Sequence, residues 1–287
     1  MNEIKKGLIF DGKARVAIID IKDIVNEEIR LHDLSPLAAA ALGRAMTAGE
    51  YISSNLKDSD ASFSLTLNGG GELGAVVVAG QSGNFIRGYV ANPHVELPPK
   101  ADGHFDMGGG IGKNGFITVI KDIGLKEPYV GRCELVSGEV AEDFAQYLYT
   151  SEGVKSAVAL GVRVDKNGCV GAGGVIVEAL PGINEGELFM LEDIMKNFGN
   201  VSETLAEKSA EEIFSFYFSH LGAEEYESER ISLKCNCGEE KIKATLKSIG
   251  KKECDEILKE VGRIEVKCQF CEKKYTYTAE EANKLWE

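Results

Sequence analysis

The chain has 287 residues, 44% of them apolar, with 46 acidic against 32 basic side chains and a net charge of −14. That apolar share supplies a sizeable core and excludes a disordered chain, and no apolar run reaches the roughly 18 to 20 residues that a membrane span needs. The acidic balance disfavours general attraction to nucleic acid.

In chain order, the N-terminus carries Glu3, Lys5 and Lys6 and then Asp11 to Arg15, without the apolar stretch of a secretory leader, so a cytoplasmic location is expected. Ser35 as an N-cap and Pro36 in the first turn open an alanine-rich segment, which predicts a helix over Ser35–Leu56. Phe63–Leu67 and Gly74–Val78 read as strands joined by a glycine turn, and Asn84–Val90, Gly115–Lys121 and Arg132–Val136 as further strands. A helix is predicted over Glu139–Thr150. Two more strands, Val154–Val164 and Cys169–Val177, flank the turn Asp165-Lys166-Asn167-Gly168. The expected class is α+β, with a mixed sheet in a core domain spanning residues 1–178.

Two glycine motifs in this domain fail as phosphate sites. Gly69-x-Gly71-x-x-Gly74 has the dinucleotide spacing, but that motif needs a helix next, and Ala75–Val78 reads as a strand. Gly108–Lys113 resembles a phosphate loop, yet Met107 stands where its first glycine belongs and Asn114 where its hydroxyl residue belongs. His32, His94, His104 and His220 are scattered, with no His-Glu-x-x-His and no Gly-x-Ser-x-Gly in the chain. No catalytic residue is assigned, and the chain is not read as an enzyme.

Residues 179–230 hold 12 acidic and 3 basic residues, and their apolar positions recur at helical spacing: Leu188, Leu191, Ile194, Met195 and Phe198, then Ile213, Phe214, Phe216, Tyr217 and Leu221. This is an acidic helical connector. By pattern alone it reads as an amphipathic helical pair docked permanently on the core.

Residues 231–287 hold 12 basic and 11 acidic residues and five of the seven cysteines. A module of about 57 residues buries only a thin core, so a metal staple is expected. Cys235-Asn236-Cys237 and Cys268-Gln269-Phe270-Cys271 stand 30 residues apart. Four thiolates at this spacing can enclose one Zn2+ at about 2.3 Å per bond. Cys254 falls in a helical run, Lys251–Val261, while Cys133 and Cys169 fall in strands, and these three read as packing residues. Lys273–Thr278 alternates as a strand, and Ala279–Trp286 reads as a closing helix.

The whole chain resembles the redox-regulated holdase chaperones of bacteria known as the 33-kDa heat-shock protein or 33-kDa chaperonin family. The residues that carry the resemblance are His32-Asp33-Leu34-Ser35-Pro36-Leu37, Gly88-Tyr89-Val90-x-Asn92-Pro93, Lys121-Asp122-x-Gly124-Leu125-Lys126-Glu127-Pro128-Tyr129, Leu135-Val136-Ser137-Gly138-Glu139 and Ala157-Val158-Ala159-Leu160-Gly161-Val162, together with the four-cysteine module. The resemblance implies that Cys235, Cys237, Cys268 and Cys271 bind zinc when reduced. On oxidation they would form the disulfides Cys235-Cys237 and Cys268-Cys271, reversed by cellular thiol reductants. It further implies an ATP-independent holdase that is silent when reduced, with homodimerisation on oxidation. Loss of the metal staple would unfold the module and release the connector. That would expose Leu188, Phe189, Phe198, Phe214, Phe216 and Phe218 to unfolding client proteins. The rival readings are a zinc ribbon that recognises nucleic acid or protein in its folded state, and a phosphate-dependent enzyme that uses Gly108–Lys113.

Overall fold

In a computed structural model describing residues 2–286, the chain opens with elements that no sequence pattern announces: an antiparallel hairpin, β1 (Glu3–Ile9) and β2 (Ala14–Asp20), and a helix, α1 (Lys22–His32). The first strand is hidden from a hydrophobicity pattern because Glu3 and Lys5 are buried and Lys6 is half-buried. Lys5, only 5% exposed, pairs with Glu211 at 2.8 Å and Glu225 at 3.2 Å, and Lys6 pairs with Glu229 at 3.2 Å.

The predicted helix follows as α2 (Pro36–Ser53), with Pro36 in its first turn and the Ser35 hydroxyl accepting the Ala38 N–H at 3.1 Å. It is buried nearly all round between two sheets. Glycines make that approach possible: a Cβ at Gly43 would come within 2.6 Å of Val162, and one at Gly49 within 2.7 Å of Val78.

The strands β3 (Ser62–Gly70), β4 (Val76–Gln81) and β5 (Phe85–Val90) form a meander. A short helix, α3 (Met107–Ile111), leads into β6 (Gly112–Asp122) and β7 (Tyr129–Glu134), followed by α4 (Ala141–Ser151), β8 (Ser156–Asp165) and β9 (Gly168–Ala179). Three helices occupy the acidic connector: α5 (Glu185–Met195), α6 (Val201–Glu207) and α7 (Ala210–Tyr217). Three two-residue strands then fasten the chain to the core: β10 (Glu224–Glu225) and β11 (Glu229–Arg230) pair with β1, and β12 (Ser232–Leu233) pairs with β5.

One sheet runs β10-β1-β2-β9-β8, with β11 also on β1, and the other runs β12-β5-β4-β3-β6-β7. The β12–β5 pairing is parallel and the rest are antiparallel, so the class is α+β with a mixed sheet, as the sequence leads one to expect. The two glycine motifs serve close packing. The Gly71 N–H donates to the Ile111 carbonyl at 3.0 Å and the Leu73 N–H to the Gly110 carbonyl at 2.9 Å, and a Cβ at Gly69 would meet the Gly112 carbonyl oxygen at 2.1 Å.

Strand alternation gives the first sheet two apolar faces. Ala17 and Ile19 of β2 join the core around α2, while Val16 and Ile18, with Val175 and Val177 of β9, form a second cluster with the connector helices. The chain divides into two compact units, one ending at Leu233 and the other beginning at Lys234, and the connector belongs to the first.

Glu50, fully buried in α2, has no hydrogen-bond partner for either carboxylate oxygen among the described residues. Burial pushes its pKa well above the ordinary 4.5, and the charge on Lys6 offsets this only in part. The folded state therefore keeps a proton that the unfolded chain releases, so this group's contribution to stability falls as pH rises above about 4.5. Glu50→Gln is expected to raise the melting temperature at neutral pH and to change it little at about pH 4, which calorimetry at the two pH values checks. Equal shifts at both would contradict the assignment.

Candidate metal centre

The second unit contains α8 (Glu239–Ile249), α9 (Lys251–Val261), the hairpin β13 (Arg263–Lys267) and β14 (Lys274–Thr278), and α10 (Ala279–Asn283), which ends in a 3-10 turn, Lys284–Trp286. Its apolar cluster is small: Ile242, Leu246, Cys254, Ile264, Tyr275, Tyr277 and Ala282 are the buried members. Cys254 is fully buried in α9, Cys169 is buried in β9 and Cys133 is half-buried in β7.

Cys268 and Cys271 lie on the tight turn of the β13–β14 hairpin. The Glu272 N–H returns to the Cys268 carbonyl at 2.9 Å, and the Cys268 N–H donates to the Lys273 carbonyl at 2.9 Å. Glu272 takes a left-handed φ of 59° to close it. Cys235 and Cys237 lie just before α8, and the Cys237 N–H points at the Cys235 sulfur, 3.4 Å away.

All four half-buried sulfurs fall within 4.8 Å of one another. Cys235 Sγ is 3.7 Å from Cys268 Sγ, and Cys237 Sγ is 3.4 Å from Cys271 Sγ. Sulfurs bound at about 2.3 Å to one tetrahedral ion stand about 3.8 Å apart, so the donor set and its spacing fit a thiolate-bound metal ion.

Sequence patterning assigns no role to Tyr275, although the alternation of β14 places it inward beside Tyr277. Its hydroxyl lies 3.2 Å from Cys237 Sγ. In the metal-free, reduced cluster burial works against ionisation of Cys237, but hydrogen bonds from Tyr275 and the neighbouring thiols outweigh it and bring its pKa down to about 7. Burial pushes the thiols of Cys235 and Cys271 up. Removing the Tyr275 hydroxyl with Tyr275→Phe is expected to raise the Cys237 pKa. Alkylation rates against pH, mapped by mass spectrometry in chelator-treated reduced protein, would show it; an unmoved profile would remove Tyr275 from the site.

The connector side chains divide. Phe198, Phe214 and Phe218 are fully buried, Leu188 is half-buried, and Phe189 and Phe216 are 66% and 69% exposed. Phe214 sits on the bare backbone of Gly7, where a Cβ would come within 2.5 Å of its ring, and the Lys5 ammonium lies 5.6 Å from the ring centroid. Burial opposes the charge on Lys5, but Glu211 and Glu225 more than offset it and raise its pKa above 10.5.

A family model described as Hsp33 protein matches residues 2–278. The chain belongs to the Hsp33 family. Among Hsp33 relatives, the 33 kDa chaperonin of Clostridium perfringens (strain SM101) is 41% identical over 292 aligned positions, covering 100% of this chain and 92% of that protein. The 33 kDa chaperonin of Clostridium novyi (strain NT) is 39% identical, with 98% and 96% covered. The crystal structure of the 33 kDa chaperonin from Thermotoga maritima is 36% identical and matches this Hsp33 fold with a TM-score of 0.91 over 99% of this chain and 97% of that one. Among the described residues no helix is long and apolar enough to cross a membrane.

Proposed function

We propose that this Hsp33-type chaperone is a redox-regulated, ATP-independent holdase of the cytoplasm: silent while its four thiolates hold zinc, and active once they are oxidised. The observation that carries the reading is the convergence of Cys235, Cys237, Cys268 and Cys271 within one small unit. Zinc bound by four thiolates supplies on the order of 10 to 16 kcal/mol of folding energy to a module of this kind. With so few buried apolar residues of its own, the second unit depends on those four sulfurs staying reduced.

Oxidation works on the sulfurs directly. A thiolate attacks the O–O bond of a peroxide, becoming a sulfenic acid as hydroxide leaves. A second thiol then forms the S–S bond and releases water. All four sulfurs lie within reach of one another. Following the family resemblance, the pairs are Cys235-Cys237 and Cys268-Cys271, which cellular thiols reduce again. Each disulfide removes two donors from the metal site.

The second element is the connector. Phe198, Phe214 and Phe218 cover Val16, Ile18, Val175 and Val177, so its detachment uncovers apolar surface on both partners. Its 12 acidic residues keep the opened chain in solution. Three two-residue strands, the ion pairs of Glu225 and Glu229 with Lys5 and Lys6, and the buried Ile231 fasten the chain between connector and second unit, so release of the connector has to break these as well. The opened surface then holds unfolding clients, and a second oxidised copy could pair through it.

Counting zinc and thiols before and after peroxide tests the switch. Four thiols are expected to disappear together with release of one equivalent of zinc, and dithiothreitol with added zinc is expected to restore both. Zinc that stays bound through loss of the thiols would sink the reading.

A further inference from the structure

Between α8, β14 and the C-terminal turn, the second unit carries a groove of about 680 Å³. Five lysines line it, Lys243, Lys247, Lys273, Lys274 and Lys284, and no arginine does, in a chain whose net charge is −14. Among the described residues, the three carboxylates of the lining are already engaged. Glu239 and Glu240 pair with Lys243 at 3.8 and 3.1 Å, and Glu281 accepts the Thr278 N–H at 2.9 Å in the capping box of α10. Lys274 and Lys284 are held by Glu265 and Glu280, at 3.5 and 2.9 Å.

Three donors remain. Lys247 has no carboxylate partner among the described residues, and Lys273, also without one, extends its ammonium to 5.0 Å from the centre of the Tyr275 ring. The third is Tyr277, which is only 8% exposed and whose buried hydroxyl has no hydrogen-bond partner among the described residues. A buried hydroxyl without a partner is destabilising, and here it borders a groove whose described lining holds five lysines, two of them without a carboxylate partner, against three carboxylates.

We propose that this groove is a binding site for small anions bearing several phosphate groups. Lysine ammonium groups act as point charges suited to phosphate oxygens, whereas planar, bidentate capture of carboxylates calls for the arginine that is absent. Lys247 and Lys273 supply the charge, and Tyr277 donates its hydroxyl to a phosphate oxygen. Tyr275 and Tyr277 are both buried, so neither offers an open face for a nucleobase, and recognition rests on the phosphates. The site needs only the folded second unit and stands apart from the redox reading. A bound anion stabilises that unit by mass action.

Isothermal titration calorimetry on the full-length, reduced, zinc-loaded protein at low ionic strength tests it, with inorganic tripolyphosphate and ATP as separate ligands. Saturable binding of both with similar affinity is expected, weakening with added salt. Lys247→Gln and Lys273→Gln are each expected to weaken binding about tenfold, and Tyr277→Phe to weaken it as well. A chromogenic chelator assay is expected to find the same zinc content in every variant, showing that the unit stays folded. Absence of saturable binding at millimolar ligand, affinities unmoved by all three changes, binding of ATP but not tripolyphosphate, or binding of single-stranded RNA alone would each overturn the proposal.

Discussion

Cys268→Ser is expected to abolish stoichiometric zinc binding and, with it, the cooperative folding of the second unit. The buried apolar side chains there are few, and two of them, Tyr275 and Tyr277, also carry hydroxyls. Against a metal contribution on the order of 10 kcal/mol, such a core cannot hold the unit together. Loss of hydrogen-exchange protection from α8 to α10, with the sheets of the first unit still protected, would mark local rather than global unfolding. The variant should then suppress client aggregation without oxidant, or be too unstable to purify in a folded state. A Cys268→Ser protein that keeps one zinc and full protection would show that the ligand set is wrong.

Phe214→Ala carries the second large effect. Its ring is fully buried on Gly7, so truncation leaves a cavity between α7 and β1 and costs about 3 to 5 kcal/mol. Phe216, two residues on and 69% exposed, is the internal control: Phe216→Ala should change stability by no more than about 0.5 kcal/mol. Denaturant unfolding of the two variants reads this difference. If the connector covers the client surface, Phe214→Ala should also lower the peroxide needed for holdase activity, and Phe216→Ala should not. Equal effects of the two changes would mean that the connector is not docked through this face.

The parts of this structure legible in the sequence are those specified locally. Ser35 and Pro36 announce α2 because capping and proline geometry act within one turn, and the Asp165–Gly168 turn announces β8 and β9 because a tight hairpin is set by its own residues. The four cysteines are legible for a different reason: two short-range pairs of soft donors have few uses besides a metal. By contrast, β1 is illegible because Lys5 and Lys6 pair with Glu211, Glu225 and Glu229, partners some 200 residues away that no local pattern shows. The helix α8 carried a usable signal, Ile242 and Leu246 one turn apart between Gly238 and Gly250, but eleven residues with two buried positions make a weak period. In the connector the apolar stripe is visible, yet which phenylalanines face the sheet depends on where α7 docks. That is why Phe214 is buried and Phe216 is not.

The most direct test of the central claim is light scattering from a heat-unfolding client mixed with this protein, with zinc release followed in the same sample. One protein sample is kept reduced and zinc-loaded, and the other is treated with peroxide at mildly raised temperature. The account predicts that only the oxidised, zinc-free sample suppresses aggregation, and that reductant with zinc restores the silent state. Equal protection by both samples, or none from a sample that has lost its zinc, would contradict it.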